Sequence, residues 1–75
     1  MADRKLDASG LRCPMPLLKT KLALNGMAAG ELLEVVATDA GSEKDIPAYL
    51  SLTQHELVSS REEKGQFTFV IKCAG

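Results

Sequence analysis

Apolar and polar positions along this chain fall into short runs of two kinds, one alternating and one helical, separated by Gly, Pro, Asn and Asp. Lys5 to Ala8, with Leu6 and Ala8 on one face, predicts a first strand. Ser9-Gly10-Leu11-Arg12 predicts a loop. A helix is expected from Pro14 to Asn25, with Leu18 and Leu22 at i and i+4 and Leu17 and Leu24 two turns apart. Asn25-Gly26 supplies its stop, and Met27 to Gly30 a connection. Glu31 to Thr38, rich in Val and Leu, predicts a second strand, broken by Asp39-Ala40-Gly41. The next helix should begin within 42–46 and end near Thr53. Pro47 is tolerated only in a first turn, which makes Asp45 the expected cap and Ser42 its rival; a Ser42 cap would set Pro47 too deep and kink the helix. Glu56 to Arg61 predicts a third strand and Glu63-Lys64-Gly65 a tight turn. Gln66 to Cys73 predicts a fourth strand with Phe67, Phe69, Ile71 and Cys73 on one face.

The resulting β-α-β-α-β-β order predicts an α+β two-layer sandwich, with both helices on one side of a mixed four-stranded sheet. Right-handed crossovers make the first three strands parallel, and the final hairpin makes the fourth antiparallel to the third. This topology gathers the segments 10–13, 39–45 and 62–65 at the carboxyl edge of the parallel strands, where open sheets favour ligands. His55 and Cys73 fall at the opposite edge. The 75 residues suffice for a single domain spanning 1–75 and leave no room for a large enclosed cavity.

Composition narrows the classes. Hydrophobic residues make up 45% and charged residues 25%, ordinary for a globular domain. No apolar run approaches the ~20 residues of a membrane span. The start Met1-Ala2-Asp3-Arg4-Lys5 lacks an apolar signal core, so a cytoplasmic setting with reduced thiols is expected. Two cysteines far apart and one histidine make neither a disulfide framework nor a metal cluster, and no cofactor is implied. The net charge of −1 argues against direct nucleic-acid binding. It hides an asymmetry: residues 1–30 carry Arg4, Lys5, Arg12, Lys19 and Lys21 against Asp3 and Asp7, while the rest is acidic. That basic third predicts salt-sensitive docking on an acidic partner, although for Lys19 and Lys21 taken alone a solvated helix face is the ordinary reading.

The segment that carries chemistry is Gly10-Leu11-Arg12-Cys13-Pro14-Met15-Pro16. Prolines at the first and third helical positions lack only N–H groups that a helix start leaves unpaired. They are expected to hold Cys13 at the N-cap, with the Met15 N–H free to face a sulfur anion. The helix dipole and Arg12 would favour that anion. The expectation is a partly ionised, exposed nucleophile activated by electrostatics, since no histidine lies near. A buried, inert cysteine is the common alternative, but a turn between prolines is not a periodic core position. Cys73 is in phase with the core face, and a sheet's length should separate it from Cys13, too far for a disulfide. His55 is expected to be a helix-end or surface histidine. Lys19, Asp39, Lys44 and Asp45 are candidate partner-binding residues, with capping and solvation as their ordinary roles.

Leu6 to Pro16, Gly30-Glu31, Asp39, Asp45-Ile46-Pro47 and His55-Glu56-Leu57 together resemble the TusA/SirA-type sulfur-carrier proteins over nearly the whole chain. The resemblance implies the same sandwich with strand order 1-2-4-3. It implies that Cys13 accepts sulfane sulfur as a persulfide from a cysteine desulfurase or rhodanese-like donor and passes it to an acceptor protein. Pro14 and Pro16 would position the thiol and Arg12 would assist it. The cargo commonly serves 2-thiouridine formation in tRNA, and in other branches molybdenum cofactor supply, sulfur oxidation or selenium metabolism. Members tied to tRNA thiolation often carry Glu where this chain has Met15. A monomer is the simplest state for a carrier that meets two partners. A non-catalytic docking module, or a selenium or metal handler using the same thiol, is the competing class.

Overall fold

The structure, a computed structural model, describes residues 2–75. Its elements are β1 (Arg4–Ala8), α1 (Met15–Asn25), β2 (Leu32–Ala37), α2 (Ser42–Ser51), β3 (Glu56–Glu63) and β4 (Gln66–Lys72). One sheet has the order β1-β2-β4-β3. β1 and β2 are parallel, and β4 is antiparallel to both β2 and β3. The first three strands therefore share a direction, as their pattern and the resemblance both lead one to expect.

Alternation decides which face of the central strands is covered. Leu33 and Val35 of β2 and Phe67, Phe69 and Ile71 of β4 pack with Leu24, Met27, Ile46 and Leu50 from the helical layer. Burial of each large side chain of this kind contributes roughly 1.5–3 kcal/mol. The edge strand β3 is almost wholly exposed, with Leu57 half-buried. Its pairing slips between Leu57 and Ser59, leaving Val58 as a bulge. β3 runs on to Glu63, so the turn narrows to Lys64 and Gly65. Both have positive φ, 52° and 80°, as a two-residue hairpin turn of type I′ requires.

The helices correct two expectations. In α1 the buried positions are Pro16, Thr20 and Leu24, spaced by four. Leu18 and Leu22 keep their i, i+4 spacing but face outward, 43% and 71% exposed. Leucines on several sides of this helix let spacing predict the helix without selecting its inner face. Thr20 can be inside because its hydroxyl donates to the Pro16 carbonyl at 2.8 Å.

In α2 neither Asp45 nor Ser42 is the cap. The helix begins at Ser42, with Gly41 at its boundary and no side-chain cap. Ser42, Ile46 and Leu50 are all buried at fourfold spacing, and tertiary packing of that stripe outweighs the preference of Pro47 for a first turn. The helix continues through Pro47 to Ser51, although Pro47 offers no N–H to the Glu43 carbonyl. The early start carries Asp45 into the first turn, which frees its carboxylate for another use.

Candidate functional site

Parallel pairing of β1 with β2 sets Ala8 opposite Ala37, so the chain leaves both strands at one edge. After β1, Gly10 takes φ 81°, a conformation that favours glycine. Its N–H donates to Thr38 Oγ1 at 2.8 Å, fastening the loop to the end of β2. Leu11 N–H donates to the Ala8 carbonyl at 3.3 Å. The loop delivers Cys13 to the segment that follows β2.

Two carboxylates meet it there. The Cys13 N–H donates to Asp39 Oδ2 at 3.2 Å, and the Cys13 thiol donates to Asp45 Oδ2 at 2.9 Å. Gly41 lies between them. A Cβ on Gly41 would stand 2.9 Å from Asp39 Oδ2, 3.5 Å from Cys13 Cβ and 3.8 Å from Asp45 Oδ2. The backbone of Gly41 is in the ordinary helical region, φ −63°, so close approach and not conformational freedom is what calls for glycine here.

This geometry corrects the expected chemistry of the thiol. Pro14, not Cys13, occupies the helix boundary, with Met15 first and Pro16 second in α1. The Met15 N–H donates to the Arg12 carbonyl at 2.8 Å, so it is spent on the turn and is not free to face sulfur. The Cys13–Pro14 peptide bond is cis. The thiol is exposed, as expected, yet it is held above the ordinary thiol range rather than below it. The hydrogen bond to Asp45 is the main cause, followed by partial desolvation and the charges of Asp45 and Asp39. A thiol that donates to a carboxylate would lose that bond and gain a repulsion on ionising.

The other candidates are distributed differently. Pro16 is fully buried beneath the start of α1 and belongs to the core as well as to the turn. Arg12 is exposed beside Cys13. Lys19 on α1 and Lys44 on α2 are exposed, and among the described residues Lys5 with Glu34, at 3.6 Å, is the ion pair that forms. Lys21 lies over the Tyr49 ring, 4.9 Å from its centroid, so it is partly covered rather than simply solvated. The 62–65 turn closes on itself, Gly65 N–H donating to Glu62 Oε2 at 3.0 Å. His55 Nδ1 accepts from the Ala74 N–H at 2.9 Å, at the far edge. Cys73 is buried there, a free thiol like Cys13. Among the described residues no group of three or more His, Cys, Asp or Glu side chains is placed to hold a metal ion, and no helix is long and apolar enough to cross a membrane.

Sequence reading missed Gly41 and the contact of Asp45 with the thiol. The signal available was placement alone: both follow the second strand at the carboxyl edge. Contact across 32 residues needs the register of β1 on β2 and the true start of α2.

Known proteins resemble this chain over most of its length. The family described as Sulfurtransferase TusA matches residues 4–73. The Sulfur carrier protein TusA of Allochromatium vinosum is 53% identical over 70 residues, spanning 93% of this chain and 92% of that protein. The Sulfur carrier protein TusA of Pseudomonas putida strain GB-1 is 40% identical over 70 residues, spanning 93% and 88%. Among solved structures, a SirA-like protein of Desulfitobacterium hafniense shares the fold with a TM-score of 0.82 at 20% identity, over 96% of this chain and 99% of that one.

Proposed function

Because the chain belongs to the TusA family of sulfur carriers, we propose that it carries sulfane sulfur as a persulfide on Cys13. The observation that carries this reading is the placement of Cys13, an exposed free thiol in a turn at the carboxyl edge of the sheet. A macromolecular donor can reach such a sulfur directly, and no enclosed cavity is needed. Cys13 sulfur attacks the outer sulfur of a donor persulfide, one S–S bond forms as another breaks, and the donor cysteine leaves. An acceptor thiol then takes the outer sulfur by the same exchange. Pro14 and Pro16 shape the turn that presents the thiol, and Asp39 anchors the Cys13 backbone.

A cysteine desulfurase or a rhodanese-like protein is the proposed donor, a thiol-bearing protein the proposed acceptor, and the cytoplasm the setting. Arg12, Lys19 and Lys44, all exposed near this edge or on the helical layer, are the proposed points of electrostatic docking. Intact-protein mass after incubation with a cysteine desulfurase and cysteine tests the assignment. Wild type and Cys73→Ser are expected to gain one reductant-labile sulfur, and Cys13→Ser none. Sulfur on Cys13→Ser that disappears in Cys73→Ser would overturn it. A docking module would instead leave all three unloaded with every donor, while Cys13→Ser still replaced the wild type in a deletion strain.

A further inference from the structure

Resting on the persulfide reading, we propose that Asp45 is the proton acceptor and donor for the Cys13 sulfur during transfer. The geometry that carries this is the thiol itself, which already donates to Asp45 Oδ2 at 2.9 Å. Two other groups able to activate a thiol are engaged elsewhere. The Met15 N–H, a helix-start donor that could have stabilised a thiolate, is bonded to the Arg12 carbonyl, and His55 is tied to Ala74 at the other edge. The missing side chain of Gly41 leaves the space in which both carboxylates approach Cys13.

The electrostatic surroundings favour a neutral sulfur. Asp39, in the segment after β2, and Asp45, in α2, face the thiol. Arg12 adjoins it in its own turn. Asp45 also lines a groove between the helices, together with Lys21 and Tyr49. A nucleophile that stays protonated at rest needs its proton removed as it attacks. In loading, the bond from Cys13 Sγ to the outer sulfur forms, the donor's S–S bond breaks, and the thiol proton passes to Asp45. The donor cysteine leaves as a thiolate and takes up one proton. One thiol and one persulfide become one persulfide and one thiol, with no net oxidation. In unloading, Asp45 returns a proton to Cys13 as it becomes the leaving group. One residue thus serves both directions of a carrier's cycle.

Two readouts on the full chain test this, with wild type, Asp45→Asn and Asp45→Glu. Glutathione persulfide serves as donor, so protein docking plays no part. Iodoacetamide alkylation against pH reports the thiolate, and intact mass against time at pH 7 reports loading. In Asp45→Asn the alkylation midpoint should move to lower pH, because a hydrogen-bonded negative charge is gone. Loading should nevertheless slow by about tenfold or more, because the proton acceptor is gone. Asp45→Glu should recover part of the loading rate. Loading that accelerates together with alkylation in Asp45→Asn would overturn the proposal and leave Asp45 as a restraint only. An unmoved alkylation profile would overturn it by removing the contact. Wild type that loads at the same rate as Asp45→Asn sinks the proton-transfer role alone, whereas wild type that takes up no sulfur sinks the persulfide reading and this role with it.

Discussion

Cys13 and Cys73 are the same chemical group held at opposite edges of one sheet, and their surroundings give them different work. Cys13 stands in a turn, exposed, with a carboxylate accepting its hydrogen bond. Cys73 is 2% exposed at the end of β4. Its sulfur lies 3.5 Å from the Leu24 carbonyl and 3.7 Å from that of Met27, where it satisfies the end of α1. Its backbone extends the ladder, Cys73 N–H to Glu31 oxygen and Gly30 N–H to Cys73 oxygen, both at 2.8 Å. Reactivity follows access and proton partners, so residue type alone would have ranked the two thiols equally.

The comparison is most easily broken by alkylation of the native protein. Cys73 can react only when the core around it opens, and opening of core elements costs up to the global stability. Iodoacetamide should modify Cys13 about a thousandfold faster than Cys73, as read by peptide mass against time. Rates within tenfold of each other would mean that the end of β4 is open in solution, and the contrast would fail.

Truncation reverses the ranking. Cys73→Ala removes a buried sulfur and its carbonyl contacts and should cost about 1–2 kcal/mol in denaturant unfolding. Cys13→Ala should leave the unfolding midpoint where it was, because the exposed thiol packs against little. A Cys13→Ala variant as unstable as Cys73→Ala would show that the turn depends on the thiol's bond to Asp45 for its fold.

The two edges also differ in how far they could be read from sequence. The core role of Cys73 follows from its phase with Phe67, Phe69 and Ile71, since alternation in a strand is a local property. The order of elements is local too, and each falls where its pattern puts it, within a few residues. The exposure of Cys13 was legible from its turn between Arg12 and Pro14. Its protonation was not, because the partner that sets it, Asp45, lies 32 residues away on another element. Reading Asp45 as a cap gave its carboxylate a local partner. Burial of Ser42, Ile46 and Leu50 starts α2 at Ser42, four residues before an Asp45 cap would, and turns that carboxylate toward Cys13. Leu18 and Leu22 show the same limit on the other helix, where spacing was right and the face was decided by the sheet.

The subtlest test sharpens what separates a reactive edge from a structural one. Gly41→Ala adds a methyl in a backbone that accepts it, since φ is −63°, so the melting temperature should hardly change. The methyl would stand 2.9 Å from Asp39 Oδ2, the free end of a side chain, which should turn aside. The Cys13 N–H then loses its acceptor and faces solvent. Amide hydrogen exchange at Cys13 should quicken by about tenfold, while the amides of β4 keep their protection. Unchanged exchange at Cys13 would mean that Asp39 does not anchor the turn in solution. Faster exchange throughout α2 would mean that the methyl unseats the helix, and that Gly41 serves packing rather than the approach of two carboxylates to one sulfur.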